Sequence, residues 1–155
     1  MKRVPMGAAM VVAVCLAGSV SAEDAKAPAK KAAAKPAAYV VQTPSDMKWT
    51  EIAKGVQRAT LWGNPDKGEY GAFFKFAAGA EVGWHTHTSQ VRLVAVSGAL
   101  VVEPKGQPSR ELVPGTFVDE PGLFVHRTNC KAGADCVFFI HQHGKFDLKP
   151  VDEKK

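Results

Sequence analysis

The sequence lacks most marks by which a reaction is read from residues alone. It has no serine, histidine and acid in a nucleophile arrangement, no glycine loop set to cradle a phosphate, and no paired-carboxylate signature. Helical periodicity is missing, and so is any internal repeat at a solenoid period, which excludes bundles and repeat arrays. No apolar run is long enough to cross a bilayer comfortably; the longest covers residues 7–20. A basic surplus is missing from the body of the chain. The formal charge is +5, but past residue 38 there are 14 basic and 13 acidic side chains. Lys2, Arg3, Lys26, Lys30, Lys31 and Lys35 carry the excess, so no nucleic-acid partner is expected.

What is present begins with an export pattern. Lys2 and Arg3 precede the apolar run, and Val20, Ser21 and Ala22 offer small residues for cleavage. Residues 1–22 read as a signal peptide, and Cys15 leaves with it. The expected location is periplasmic or secreted, with no stable membrane anchor after cleavage. Residues 23–38 are an Ala/Lys/Pro linker without apolar bulk to offset its ordering entropy, and read as disordered. Residues 39–155 suit a single domain.

Within that domain the texture is all-β. Ten short strands are expected, at 39–42, 46–52, 56–62, 70–77, 84–88, 91–96, 99–103, 116–119, 123–128 and 136–142. Turn residues punctuate them every eight to twelve positions or so, as in a sandwich or small barrel. In 70–77, Tyr70, Ala72, Phe74 and Phe76 share one face. The polar tail from Lys149 onward is expected to fray.

The organising stretch is Gly79 to His87. His85 and His87 are two apart in a strand, so their side chains share a face with Cα atoms about 6.5–7 Å apart. Two imidazoles so placed can meet at one metal ion, about 2.0–2.1 Å from each nitrogen.

Those residues resemble the cupin superfamily, a jelly-roll β-barrel with a metal in its mouth. Gly79, His85, His87 and Gly98 fall in register with its first motif, and Val91 stands where that motif has glutamate. Gly115, Pro121 and His126 fall in register with the second, and Leu123 stands in its glycine slot. Trp49, the run Leu61 to Pro65, the His85–Thr88 run and Lys145 to Asp147 are similar to single-domain cupins allied to the cupin half of zinc-dependent anti-sigma factors. The resemblance implies a metal site of His85, His87 and His126 with open positions. An all-nitrogen set suits a divalent transition metal, zinc or iron first, then nickel or copper. A barrel that has lost its metal is the competing reading. Thr86, Thr88, Ser89, Glu81 and Asp119 are candidate partners for the free ring nitrogens.

A second His-x-His, His141 and His143, follows Cys136. If Val137, Phe139 and His141 point inward, His141 lines the pocket as an acid–base or substrate group; otherwise it sits on a polar strand end near the rim. Arg92 and Arg127 flank ligand positions and offer a grip for an anionic substrate or, alternatively, surface ion pairs. Cys130 and Cys136 bracket a turn in an exported chain and are expected to form a disulfide, the alternative being a thiol at the metal.

The expectation is a metal-binding protein that binds or senses a small molecule at the three-histidine site. A three-histidine Fe(II) dioxygenase, or a related metal-dependent isomerase or hydrolase, and a metal-free structural barrel are the alternatives. The leader and linker stand where anti-sigma regulators carry a sigma-binding helical segment. A homodimer would cover barrel edges.

Overall fold

The computed structural model describes residues 38–152. The leader and almost all of the linker lie outside the described residues. Eleven strands follow a short 3-10 turn at Pro44–Asp46: β1 (Thr50–Ala53), β2 (Val56–Gly63), β3 (Tyr70–Phe76), β4 (Glu81–Thr86), β5 (Val91–Ser97), β6 (Leu100–Pro104), β7 (Arg110–Leu112), β8 (Phe117–Glu120), β9 (His126–Cys130), β10 (Cys136–Gln142) and β11 (Lys149–Pro150). Every pairing is antiparallel. A six-stranded sheet runs β1-β2-β3-β10-β5-β8 and a five-stranded sheet runs β11-β4-β9-β6-β7. This is an all-β jelly roll.

Alternation builds the core. Tyr70, Ala72, Phe74 and Phe76 of β3 are all buried, as their shared parity demands. Opposite them β10 turns in Cys136, Phe138 and Gln142. Phe74 stacks on Phe138 at 5.8 Å, and Phe76 meets Phe138 edge-on at 5.1 Å. Each such ring contributes roughly 1.5–3 kcal/mol by leaving water. Cys130 of β9 and Cys136 of β10 are joined by a disulfide, with Cα atoms 5.7 Å apart. Because β9 and β10 belong to different sheets, the bond ties one sheet to the other.

Gly98, the last glycine of the first motif, turns β5 into β6 with φ +79°. A Cβ there would lie 2.5 Å from the Asp135 carbonyl oxygen, so no other residue fits without backbone movement.

Five expectations about elements change. The strand expected at 123–128 begins only at His126, because Leu123 takes a left-handed turn conformation. Residues 39–42 form no strand: Tyr39, Val40 and Val41 are exposed and pair with nothing in either sheet. The strand expected at 46–52 starts later, because Pro44–Asp46 is a 3-10 turn capped by Thr43. β7 was not foreseen. The start of the polar tail is not frayed, since Lys149 and Pro150 pair with Thr86 and His85 along the edge of β4.

Candidate metal centre

The five-stranded sheet brings the three motif histidines to one wall of the barrel interior. His85 and His126 are direct cross-strand partners on β4 and β9, with ring centroids 4.3 Å apart. A register shift between Val82 and His85 bends β4 just before the ligand, a common device for re-aiming a side chain. His87 follows β4, its ring 5.0 Å from that of His85 and 5.5 Å from that of His126. One ligand nitrogen from each lies within 4.8 Å of the other two.

The ring orientations are set by backbone. Each Nδ1 faces a carbonyl oxygen: Gly83 at 2.7 Å for His85, Asp147 at 2.6 Å for His87 and Phe124 at 3.2 Å for His126. A carbonyl only accepts, so each Nδ1 carries the proton and each Nε2 keeps its lone pair. The side chains expected to hold the ring nitrogens do not do so. Thr88 instead binds the Asp147 carboxylate, through Oγ1 and through its amide at 2.9 Å, and so anchors the segment whose carbonyl fixes His87. Asp119 is engaged by Gln90 and Arg92. Main-chain carbonyls serve as acceptors at any residue type, so no sequence pattern announces them.

One site residue escaped the sequence reading. Glu120, at the end of β8, is buried, and its Oε2 lies 3.6 Å from His126 Nε2. Its register partner is Val91, the position where the motif has glutamate. Directly opposed residues in an antiparallel pair point to the same face. The carboxylate missing from β5 therefore stands one strand over. Its signal in the sequence is its parity with Val118; the Pro121 and Gly122 that follow give Glu120 the look of a turn residue, so the strand is expected to end at 119.

The electrostatics favour neutral groups. Burial pushes the Glu120 carboxyl up to about 7. Burial, helped by the neighbouring His85, pushes His126 down to about 4. Burial also lowers His85 and His87, against the raising effect of their backbone hydrogen bonds. Three neutral imidazoles with free Nε2 atoms beside a buried carboxyl form a donor set suited to a divalent transition metal, whose charge would draw the carboxyl to its ionised form.

The site opens on a cavity of about 260 Å³. Its walls are mostly apolar, with Ile52, Phe74, Leu93, Phe138, Phe146 and Leu148 among them. Its polar points are the histidines, Glu120, Thr128 and the pair in which Tyr70 O–H donates to Gln142 Oε1 at 2.8 Å. No lysine or arginine lines it.

That composition decides two open alternatives. Phe138, Ile140 and Gln142 are the inward set of β10, so His141 lies on the outer face and does not line the pocket. Arg92 is also outside, near His143 and Asp119, and Arg127 pairs with Glu103 at 2.8 Å. Neither arginine reaches the cavity to grip a substrate.

Comparison with known proteins agrees with this architecture. A family model described as "ChrR Cupin-like domain" matches residues 37–147. No curated protein matches the chain in sequence. Among solved structures, the polyketide cyclase RemF from Streptomyces resistomycificus superposes with a TM-score of 0.64 at 16% identity, over 74% of this chain and 87% of that one. KdgF from Halomonas sp. gives 0.56 at 24% identity, over 65% and 92%. The Rhodobacter sphaeroides complex of SigE with the anti-sigma ChrR gives 0.53 at 18% identity, over 64% of this chain and 50% of that one. At these identities the likeness is one of fold.

Proposed function

Since the chain belongs to the ChrR cupin-like domain family, we propose that it is an exported cupin that binds a small neutral molecule at a metal held by His85, His87 and His126. The observation that carries this is the set of three Nδ1–carbonyl contacts, which leave three Nε2 lone pairs beside a mostly apolar cavity. Zinc or iron fits the donors best, with nickel or copper as further candidates. A metal bound there would supply Lewis acidity toward an oxygen-bearing ligand.

The chain's own residues set what enters. The volume admits a small organic molecule; no lysine or arginine lines the cavity, and the Glu120 carboxylate would offset part of a divalent metal's charge, which together disfavour an anion. Sensing or carrying such a molecule fits a site that binds without an evident nucleophile.

A second reading, a metal-dependent enzyme of the three-histidine Fe(II) dioxygenase type, draws on Glu120. A buried carboxyl held near neutrality can take or return a proton at the metal's edge. A metal-free barrel held by its disulfide is the third.

Export belongs to the same proposal. Residues 1–22 would be removed in passage to the periplasm or beyond, and 23–38 would tether the domain. Pairing of two copies along exposed sheet edges would give a homodimer. The experiment is calorimetric titration of the zinc- and iron-loaded full chain with a panel of small neutral and anionic compounds. Saturable, metal-dependent binding of neutral members supports the reading; metal-independent binding, or preference for anions, overturns it. Oxygen uptake in the iron form would move the assignment to the enzyme.

A further inference from the structure

The second His-x-His has no place in the barrel interior, yet the fold builds something around it. His141 on β10 and His143 just beyond it project from the outer face of the six-stranded sheet, with ring centroids 4.5 Å apart. Glu69 stands one residue before Tyr70, which pairs with Gln142. Its Oε1 lies 2.7 Å from His141 Nε2 and 3.7 Å from His143 Nδ1. These three ligand atoms all lie within 4.8 Å of one another.

We propose that Glu69, His141 and His143 form a second binding site for a divalent transition metal of the zinc, nickel or copper kind, on the outside of the barrel and independent of the cavity. Two imidazoles and one carboxylate from two neighbouring strands are a donor set that such ions prefer. A tetrahedral centre with bonds of about 2.0–2.1 Å spaces its ligand atoms about 3.3 Å apart. The Glu69 oxygen must then open by a few tenths of an ångström from His141 and close by less from His143. A water takes the fourth position.

The surroundings hold the ligands in place. The Trp62 indole packs against His141, ring centroids 5.2 Å apart, and forms one wall. It can do so because residue 71, the cross-strand partner of His141, is glycine: a Cβ there would fall 2.2 Å from the indole nitrogen. The His141 and His143 side chains are 24% and 38% exposed, which leaves the ligand atoms open to solution. An exposed histidine–glutamate ion pair alone would add little stability.

Arg92 makes the site tunable. It is the cross-strand partner of His141 on β5, and its Nη1 donates to His143 Nε2 at 3.1 Å. With Nε2 accepting, Nδ1 carries the proton. Metal binding at Nδ1 sends that proton to Nε2 and displaces Arg92, which keeps Asp119 as a partner at 3.6 Å. The guanidinium therefore competes with the metal, by proton placement and by charge.

The test is equilibrium dialysis of the untagged full chain against zinc, with metal counted per chain. Two ions are expected, the outer one bound more weakly. His141→Ala with His143→Ala should remove only the weaker ion, and Glu69→Gln should weaken it at least tenfold. Arg92→Gln should tighten it by about tenfold at low salt, from removal of one positive charge about 5 Å away. His85→Ala with His87→Ala should leave it in place. A chain that binds one ion, insensitive to His141 and His143, overturns the proposal, as does a second ion that survives their replacement. A chain that binds a single ion lost on changing His141 and His143 upholds it and counts against the cavity site instead. Should the double variant unfold, the exposed Glu69 and Arg92 variants decide, by weakening or tightening the second ion or leaving it unchanged.

Discussion

Val91 and Glu120 face each other across β5 and β8, and the carboxylate that the motif places on the first is carried by the second. The exchange costs the site nothing in direction, because opposed residues share a face. It makes Glu120 the fourth polar group at a centre otherwise made of imidazoles.

That relationship is testable by a swap. Glu120→Val alone should weaken zinc binding in the cavity by about 10–100-fold, the range for loss of a supporting group at a metal. Val91→Glu combined with Glu120→Val should recover most of that loss. Competition with a chromophoric chelator measures both; a swap no better than the single change would show that the two positions do not reach the same point.

The metal-free protein should respond to pH in a way that separates Glu120 from the histidines. His126 resists protonation down to about 4, whereas the unfolded chain takes the proton near the ordinary 6.5. Its contribution is present above 6.5 and is lost as pH falls toward 4. Glu120 runs the other way. Held up to about 7, its contribution is present below the ordinary value of 4.5 and is lost as pH rises to 7. Each amounts to on the order of 3 kcal/mol at full extent. Glu120→Gln should therefore steepen the gain in stability between pH 4.5 and 6.5 and leave the metal-free variant more stable than wild type at pH 7.5. Urea unfolding across that range checks it; parallel profiles for the two proteins would refute the assignment.

Leu123 carries φ +66° in the second motif's glycine slot, and among the described residues it is the one non-glycine with positive φ. The left-handed conformation costs a side-chain-bearing residue about 1–2 kcal/mol. Its amide donates to the His87 carbonyl at 2.7 Å, which holds the strained loop beside the ligand. Leu123 is exposed, so its side chain supplies little packing. Leu123→Gly should raise stability by up to about 1 kcal/mol, the released strain being partly offset by glycine's larger unfolded-state entropy. A clear fall in melting temperature would contradict this.

Removal of the disulfide by changing Cys130 and Cys136 to alanine should cost roughly 2–2.5 kcal/mol on the chain-entropy account. The bond joins the two sheets at the end opposed to the histidines along β9. Zinc affinity in the cavity should then change less than threefold once the variant is folded. A large drop in affinity would mean that the disulfide, and not the backbone carbonyls, positions the site.

Much of this was legible in the residues. The alternation of Tyr70, Ala72, Phe74 and Phe76 names its own inward face, and the three histidines lie at motif spacings. The inward face of β10 was not legible, although the strand was, because Val137 and Phe139 are as apolar as Phe138 and Ile140, so periodicity cannot choose between them. The buried Gln142 and the outward His141 resolve it only in three dimensions. Residues 39–42 have strand composition but no neighbouring strand to pair with. β11 has the reverse character: Lys149 and Pro150 are poor strand residues held by the unpaired edge of β4. Glu120 depends on a register between strands distant in sequence, which local pattern does not carry.

The central claim is that imidazoles from β4 and its following turn meet one from β9 around a metal. X-ray absorption at the zinc edge of the full chain, loaded with one equivalent after His141→Ala and His143→Ala have removed the outer cluster, tests it most directly. The account predicts about three imidazole nitrogens at about 2.0–2.1 Å, with that signal gone and the ion lost when His85 and His126 are also changed to alanine. An ion coordinated by one imidazole or none, or retained after those further changes, would contradict it.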